Sequence, residues 1–310
     1  MKRTAHESVP PPAAGPFEGR VVAAHRRHFL VALGTEAPLA CVLRGRSATL
    51  ACGDQVQVSR VAGGGVIEAV LPRRTLLYRS DAFKEKLIAA NVDQIVGVVA
   101  PDLSLDEELV QRWSVAASAL DCRFVVAANK SDLPGFPSLQ ARLAPLTALG
   151  HAVVPVSATR DIAPLLPWLR DRHSVLIGQS GMGKSTLLNA VAPDAVARTA
   201  AVSQALSAGR HTTTHSTLYA LPATLGAGWI VDSPGLKAFG LAHLDPDAIV
   251  DAFAEFRACS GHCRFRDCRH DAEPDCAFRA AVAAGRAAPF RLQLLRTLVA
   301  ESESARRSRR

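Results

Sequence analysis

Three stretches of unlike pattern predict a multidomain chain. Residues 19–71 hold short β-like runs punctuated by glycine, Gly178–Ser185 is a Gly-x4-Gly-Lys-Ser loop between an apolar strand and a helix, and 259–276 crowds cysteine and histidine. In chain order they read as a small β-barrel, an α/β unit and a compact helical metal-binding region. The 310 residues leave room for these domains, and 48% hydrophobic content suffices for their cores. No run approaches the roughly 20 apolar residues of a membrane span. The stretch from Met1 to Glu7 lacks the apolar centre of a signal peptide. A cytoplasmic location without membrane contact is expected, and there clustered cysteines suggest metal rather than disulfides. A net charge of +8 favours a polyanionic partner such as RNA.

Residues 1–16, with Lys2, Arg3 and Pro10-Pro11-Pro12, show no apolar period and are expected to be a disordered arm. Over 17–72 the β-like runs are Arg20–Ala24, His28–Leu33, Ala40–Leu43, Gln55–Val58 and Gly65–Val70, separated by glycine turns. So many short strands in so little chain suit a barrel of the oligonucleotide-binding type. Arg26, Arg27, Arg44, Arg46 and Arg60 fall on or beside the turns, where such barrels meet RNA. A basic connector, Pro72–Arg79, leads into an α/β unit expected over 73–243. There Val92–Ala100 reads as a buried strand, and Ser104 with Glu107 forms a capping box. The helix that follows has Leu105, Leu109, Trp113, Ala116 and Leu120 on one face.

The motifs carry the chemistry. His173–Ile177 is an apolar strand, Gly178-Gln179-Ser180-Gly181-Met182-Gly183-Lys184-Ser185 is a phosphate loop, and a helix runs on from Thr186. Its glycines let backbone N–H groups face phosphate oxygens, Lys184 reaches the β- and γ-phosphates, and the Ser185 hydroxyl holds Mg²⁺. A second strand, Arg123–Ala128, runs into Asn129-Lys130-Ser131-Asp132. Asp132 can accept two hydrogen bonds from guanine N1–H and its 2-amino group. Adenine would leave that carboxylate unpaired, at a cost on the order of 1–3 kcal/mol or more. Lys130 would lie over the base, and Asn129 would tie this loop to the phosphate loop. Ser157-Ala158-Thr159, after the strand-like Ala152–Val156, resembles the loop whose backbone N–H meets guanine O6.

Farther on come Gly209-Arg210-His211-Thr212-Thr213-Thr214 and Asp232-Ser233-Pro234-Gly235. Asp232 is placed to reach Mg²⁺ through water and Gly235 to sense the γ-phosphate. Thr213 is expected to contact Mg²⁺ and the γ-phosphate, although neighbouring Thr212 or Thr214 could serve. After Asp-x-x-Gly, where Ras-like enzymes often place a water-orienting Gln, stands Leu236, which has no hydrogen-bonding group. His211 is the expected catalytic replacement and His215 the second choice, with a contribution from a bound partner also open. The guanine motifs precede the phosphate loop, the reverse of the usual order, so the α/β unit reads as circularly permuted.

A helical region is expected over 244–300, with one helix across Leu244–Ala258 and another around Phe290–Ala300. Cys263, Cys268, His270 and Cys276 form Cys-x4-Cys-x-His-x5-Cys, a tetrahedral zinc set with no open position and so a structural role. Cys259 and His262 could replace one of these ligands. Cys41, Cys52 and Cys122 read as core residues. The arginine-rich stretch 301–310 is expected to be a disordered tail.

On these residues the chain resembles the ribosome small subunit-dependent GTPase A family (RsgA, also called YjeQ), a group of circularly permuted GTPases. The likeness covers residue 19 to about 300. Its most specific marks are Ile88–Gln94, Gly209–Thr214 and the Cys3His segment with Glu273-Pro274-Asp275-Cys276. The resemblance implies a monomer that binds GTP and GDP with Mg²⁺ and grips the small ribosomal subunit and its rRNA through barrel and zinc domain. It further implies action in late maturation and hydrolysis of GTP to GDP and phosphate, stimulated by the subunit. A small-molecule kinase would not combine these motifs. A scaffold with a vestigial GTPase is the other alternative, against which intact Lys184, Ser185, Asp132 and Asp232 argue.

Overall fold

The computed structural model describes residues 16–25, 28–34, 36–45, 49–81, 84–101, 105–197, 216–233, 241–242 and 244–308. Arg26, Arg27, Arg46, Ser104, His211, Thr213, His215, Gly235 and Leu236 lie outside them, as does the expected arm up to residue 15. Strands β1 (Phe17–His25), β2 (His28–Ala32), β3 (Leu39–Leu43), β4 (Gln55–Val61) and β5 (Gly64–Val70) pair in the order β1-β2-β3-β5-β4, and β4 returns to β1. This is the expected five-stranded barrel. The period-two alternation turns Val21, Val31, Cys41, Val56, Val58 and Ile67 inward to one apolar cluster. Closure leaves no open barrel edge.

The connector is more structured than the sequence suggests. Leu76–Asp81 forms β6 and Lys84–Ala90 forms β7, an antiparallel hairpin that pairs with no other named strand. Lys84-Glu85-Lys86 masks the strand pattern, because charged residues have low β-propensity. The base of the hairpin brings Leu77, Ile88 and Ala89 into the core.

Beyond it, β8 (Gln94–Val99), β9 (Arg123–Ala128), β10 (Ala152–Pro155), β11 (His173–Ile177), β12 (Thr217–Ala220) and β13 (Trp229–Asp232) form a sheet in the order β10-β9-β8-β11-β13-β12. The pairings among the first five in that order are parallel, and β12 is antiparallel to β13. Alternate residues of the continuous apolar runs serve opposite faces, as in a sheet covered on both sides. Ile95, Val99, Phe124 and Val175 join the cluster holding α1 (Glu107–Ala119) and α2 (Phe136–Ala148). Val96, Val98, Val125 and Leu176 face α3 (Leu166–Leu169) and α4 (Lys184–Val191). The cap of α1 differs from the expected box. Asp106 Oδ1 accepts from Leu109 N–H at 3.0 Å, while Glu107 is the first helical residue and pairs with Arg142 at 2.8 Å. Aspartate caps as well as serine does, and two residues nearer the helix it wins.

The barrel and the sheet join where Ala23 of β1 faces Thr217 of β12. Gly53 of the barrel turn packs so closely here that a Cβ would lie 2.1 Å from Ala90 O, and its φ of +94° suits only glycine.

The helix expected over 244–258 is split into Pro246–Asp251 and a 3-10 turn, Ala254–Cys259, with Phe253 leaving the helical conformation between them. Ala277–Ala283 and a terminal helix, Pro289–Ser308, follow. The terminal helix runs well into the stretch expected to be disordered. Its last turns have partners: Glu301 takes Arg112 at 2.7 Å, Ser302 Oγ donates to Leu244 O, and Arg306 pairs with Asp245 at 2.9 Å. Among the described residues no helix is long and apolar enough to cross a membrane.

Candidate nucleotide-binding site and metal centre

The buried strand β11 delivers the phosphate loop, and α4 starts at Lys184. Met182 is buried in the second core cluster and anchors the loop from below. Gly183 has φ +91°, and a Cβ there would lie 2.3 Å from Asn129 Nδ2. Lys184 Nζ donates to Gly178 O at 2.8 Å and Gln179 O at 3.1 Å, which folds the ammonium back over the loop. Burial lowers the Lys184 pKa, and the charge of Asp232 opposes that shift. Ser185 and Thr186 stand exposed on the first turn of α4.

Asn129 leaves β9 fully buried and does what its place in the motif suggests. Its Nδ2 donates to Met182 O at 2.9 Å, and its Oδ1 accepts from Ala158 N–H at 3.0 Å. One carboxamide thus pins the guanine loop to both the phosphate loop and the Ser157-Ala158 loop. Lys130 takes φ +59°, and Ser131 N–H donates to Val156 O at 3.0 Å. The Asp132 carboxylate sits between the Ser157 hydroxyl and Arg160, whose Nε is 3.4 Å away. Ser157 first, and Arg160 less strongly, hold its pKa below the ordinary carboxylate value. The N–H groups of Ser157 and Ala158 are occupied within the protein, by Asp161 O at 2.9 Å and by Asn129. Arg160 escaped the motif reading, since a single arginine after a loop carries no signal in sequence.

Asp232 ends β13 in register with Leu176 of β11, and Ser233 Oγ donates to Leu176 O at 2.9 Å. Asp232 Oδ1 is buried with no protein hydrogen-bond partner. Burial raises the Asp232 pKa, and Lys184 opposes the rise. An orphaned buried carboxylate oxygen beside a phosphate loop fits a hard cation such as Mg²⁺.

In the C-terminal region the ligand atoms of Cys263, Cys268, His270 and Cys276 all lie within 4.8 Å of one another. Cys263 Sγ is 3.9 Å from Cys276 Sγ, and His270 Nδ1 is 3.6 Å and 3.5 Å from these two sulfurs. Zinc–sulfur bonds of about 2.3 Å at tetrahedral angles put sulfurs about 3.8 Å apart, so the set fits zinc. Nδ1 is the histidine atom turned to the cluster. The ring stacks on Phe278 with centroids 3.8 Å apart, which fixes its plane. Glu273 braces the loop by accepting from the Arg269 and Asp271 N–H groups, and such bonds hold its pKa down at about 2. Cys259 lies buried in the apolar core and His262 is exposed, so the choice of ligands left open by spacing falls on the other four.

On the barrel, Arg44 and Arg60 are exposed and paired with Glu68 and Glu36. Exposed pairs of this kind are weak, and a phosphate can displace the carboxylate.

A family model described as RsgA GTPase matches residues 70–242. The small ribosomal subunit biogenesis GTPase RsgA of Nitrosospira multiformis is 46% identical over 309 residues, covering 99% of this chain and 96% of that protein. The protein of the same name from Burkholderia pseudomallei (strain 668) is 45% identical over 312 residues, covering 97% of this chain and 98% of its own. Among solved structures, YjeQ from Thermotoga maritima is similar with a TM-score of 0.69 at 28% identity, covering 93% of this chain and 98% of that one. YloQ, described as a circularly permuted GTPase, gives 0.67 at 25% identity, covering 97% and 98%.

Proposed function

The chain belongs to the RsgA GTPase family, and on that premise we propose that it hydrolyses GTP to GDP and phosphate in the biogenesis of the small ribosomal subunit. The observation that carries the nucleotide reading is Asn129, which binds the guanine-type loop to the phosphate loop through one hydrogen bond and to the Ser157-Ala158 loop through another. A single nucleotide would then span Asp132 at its base and Lys184 at its phosphates.

In this reading Asp132 accepts from guanine, and the phosphate-loop N–H groups with Lys184 hold the phosphates. Ser185, Asp232 and Thr213 would hold Mg²⁺, which when bound neutralises charge between the β- and γ-phosphates. Gly235 senses the γ-phosphate, and His211 orients the attacking water in place of the side chain that Leu236 lacks. Docking on the small subunit completes the site and raises turnover. The barrel, through Arg26, Arg27, Arg44, Arg46 and Arg60, and the metal-bearing region would grip rRNA. Cys263, Cys268, His270 and Cys276 would hold one structural zinc. The chain would act as a cytoplasmic monomer.

The test is competition against a labelled GTP analogue. GTP and GDP should compete, and ATP should be weaker by roughly tenfold to a hundredfold or more, given the unpaired-carboxylate cost. Asp132→Asn should reverse the preference towards xanthine nucleotides, whose 2-oxygen accepts from the new amide. Equal competition by ATP and GTP would overturn the reading.

A further inference from the structure

Thr217 stands between the barrel and the phosphate site. On one side it faces Ala23 of β1, and on the other it faces Asp232 of β13. Cys52, on the turn that closes the barrel against the sheet, reinforces this join. Its Sγ donates to Ser216 O at 3.0 Å and lies 3.5 Å from Val22 O. Its side chain is 1% exposed, and burial pushes the thiol up to about 12. The group therefore stays protonated and serves as a donor.

The turn that carries Cys52 is held from every side. Gly53 N–H donates to Val21 O at 2.8 Å, and Asp54 Oδ2 accepts from Ala51 N–H at 2.8 Å. Arg73 grips both Asp54 oxygens at 2.6 Å and 2.7 Å. From the α/β unit, Ala90 N–H donates to Cys52 O at 2.8 Å, and Asn91 Nδ2 donates to Gly53 O at 3.0 Å. A turn fixed this firmly to β1 and to the sheet can set the position of what it touches next. What it touches next is Ser216, the residue before β12.

We propose that the barrel positions Asp232 through Thr217, with Cys52 as a positioning residue for GTP hydrolysis. The path is short: one residue separates barrel strand from Asp232, with Thr217 in antiparallel register with Ala23 on one side and Asp232 on the other, and the Cys52 thiol bound to the carbonyl of the residue before it. Misplacing a catalytic group by an ångström can cost on the order of a hundredfold in rate, so a small slip of β12 matters. The proposal rests on the GTPase reading.

The test compares Cys52→Ala and Cys52→Ser in the full chain, reading GTP turnover, GDP affinity and amide exchange along Thr217–Ala220 and Trp229–Asp232. Cys52→Ala should lower kcat about tenfold and speed exchange in both strands, with KM and GDP affinity held to within about twofold. Cys52→Ser keeps a donor and should recover most of the loss. Where the alanine variant does not fold, Cys52→Val fills the space without a donor and carries the same comparison. Unchanged kcat and exchange would overturn the proposal. So would a fall in kcat matched by an equal fall in GDP affinity, or a serine variant no better than alanine. A parental chain that binds GDP without turning over GTP would instead tell against the GTPase reading, and exchange would still decide the inference.

Discussion

Asp232 carries a charge that its surroundings resist. Burial raises its pKa, and the nearby Lys184 opposes that rise. Because the folded pKa stands above the unfolded one, the protonated form stabilises the fold at low pH, and that contribution is lost as pH rises through the folded value. In the proposed mechanism turnover needs the carboxylate. The acid limb of kcat/KM should therefore lie above the ordinary aspartate value of about 4. Asp232→Asn should abolish turnover yet raise the denaturation midpoint at neutral pH, and the gain should shrink on acidification. A midpoint that does not rise would show that Lys184 already compensates the charge in full.

At the scale of elements, a buried arginine of the terminal helix adds to the Arg112–Glu301 pair in tying that helix to α1. Arg291 pairs with Glu255 at 2.5 Å, donates to Gln111 Oε1 at 2.8 Å and lies 4.4 Å from the Phe253 ring centroid. Arg291→Ala would leave Glu255 buried and unpaired, at a cost of about 3–5 kcal/mol. Denaturant unfolding should show that loss, and replacing Arg291 and Glu255 together by Met and Leu should recover much of it. The metal loop is a separate matter: Glu273 braces it from within, and Asp271 pairs with Arg296 of the terminal helix at 2.6 Å. Metal analysis of protein prepared without chelator should find one zinc per chain. Chelation should then speed amide exchange over 263–283 while GDP affinity stays unchanged, since no sheet strand depends on those ligands. Protein without zinc would sink the assignment.

On the scale of the whole molecule, a net charge of +8 is spread over the barrel, the connector and the C-terminal region. Binding to small subunits should weaken steeply with salt, by roughly a thousandfold between 50 and 200 mM if about six phosphates are neutralised. Association indifferent to salt would point to protein contacts alone. With subunits at saturation, His211→Ala should lower stimulated turnover and spare both GTP and subunit binding. Stimulation at the parental rate would remove His211 from the catalytic role.

What could be read from the chain alone was whatever a short local pattern imposes. The phosphate loop, the guanine motif after β9 and the metal-ligand spacing are legible because each demands particular residues within a few positions. The permuted order followed from the sequence of those motifs. Barrel strands were legible from alternation and glycine turns, whereas β6 and β7 were hidden by charged residues that the fold nevertheless pairs. Only the tertiary structure decided the long-range partners. It gathered Cys263, Cys268, His270 and Cys276 into one cluster that could hold a metal and left Cys259 and His262 outside it, and it gave the terminal helix Asp245 and Leu244 to hold its last turns. It also placed Cys52 against Ser216, and set Thr217 between Ala23 and Asp232. The reason is physical: a motif constrains the backbone over a few residues, while a buried contact between distant segments depends on how the elements pack, and no local pattern carries that.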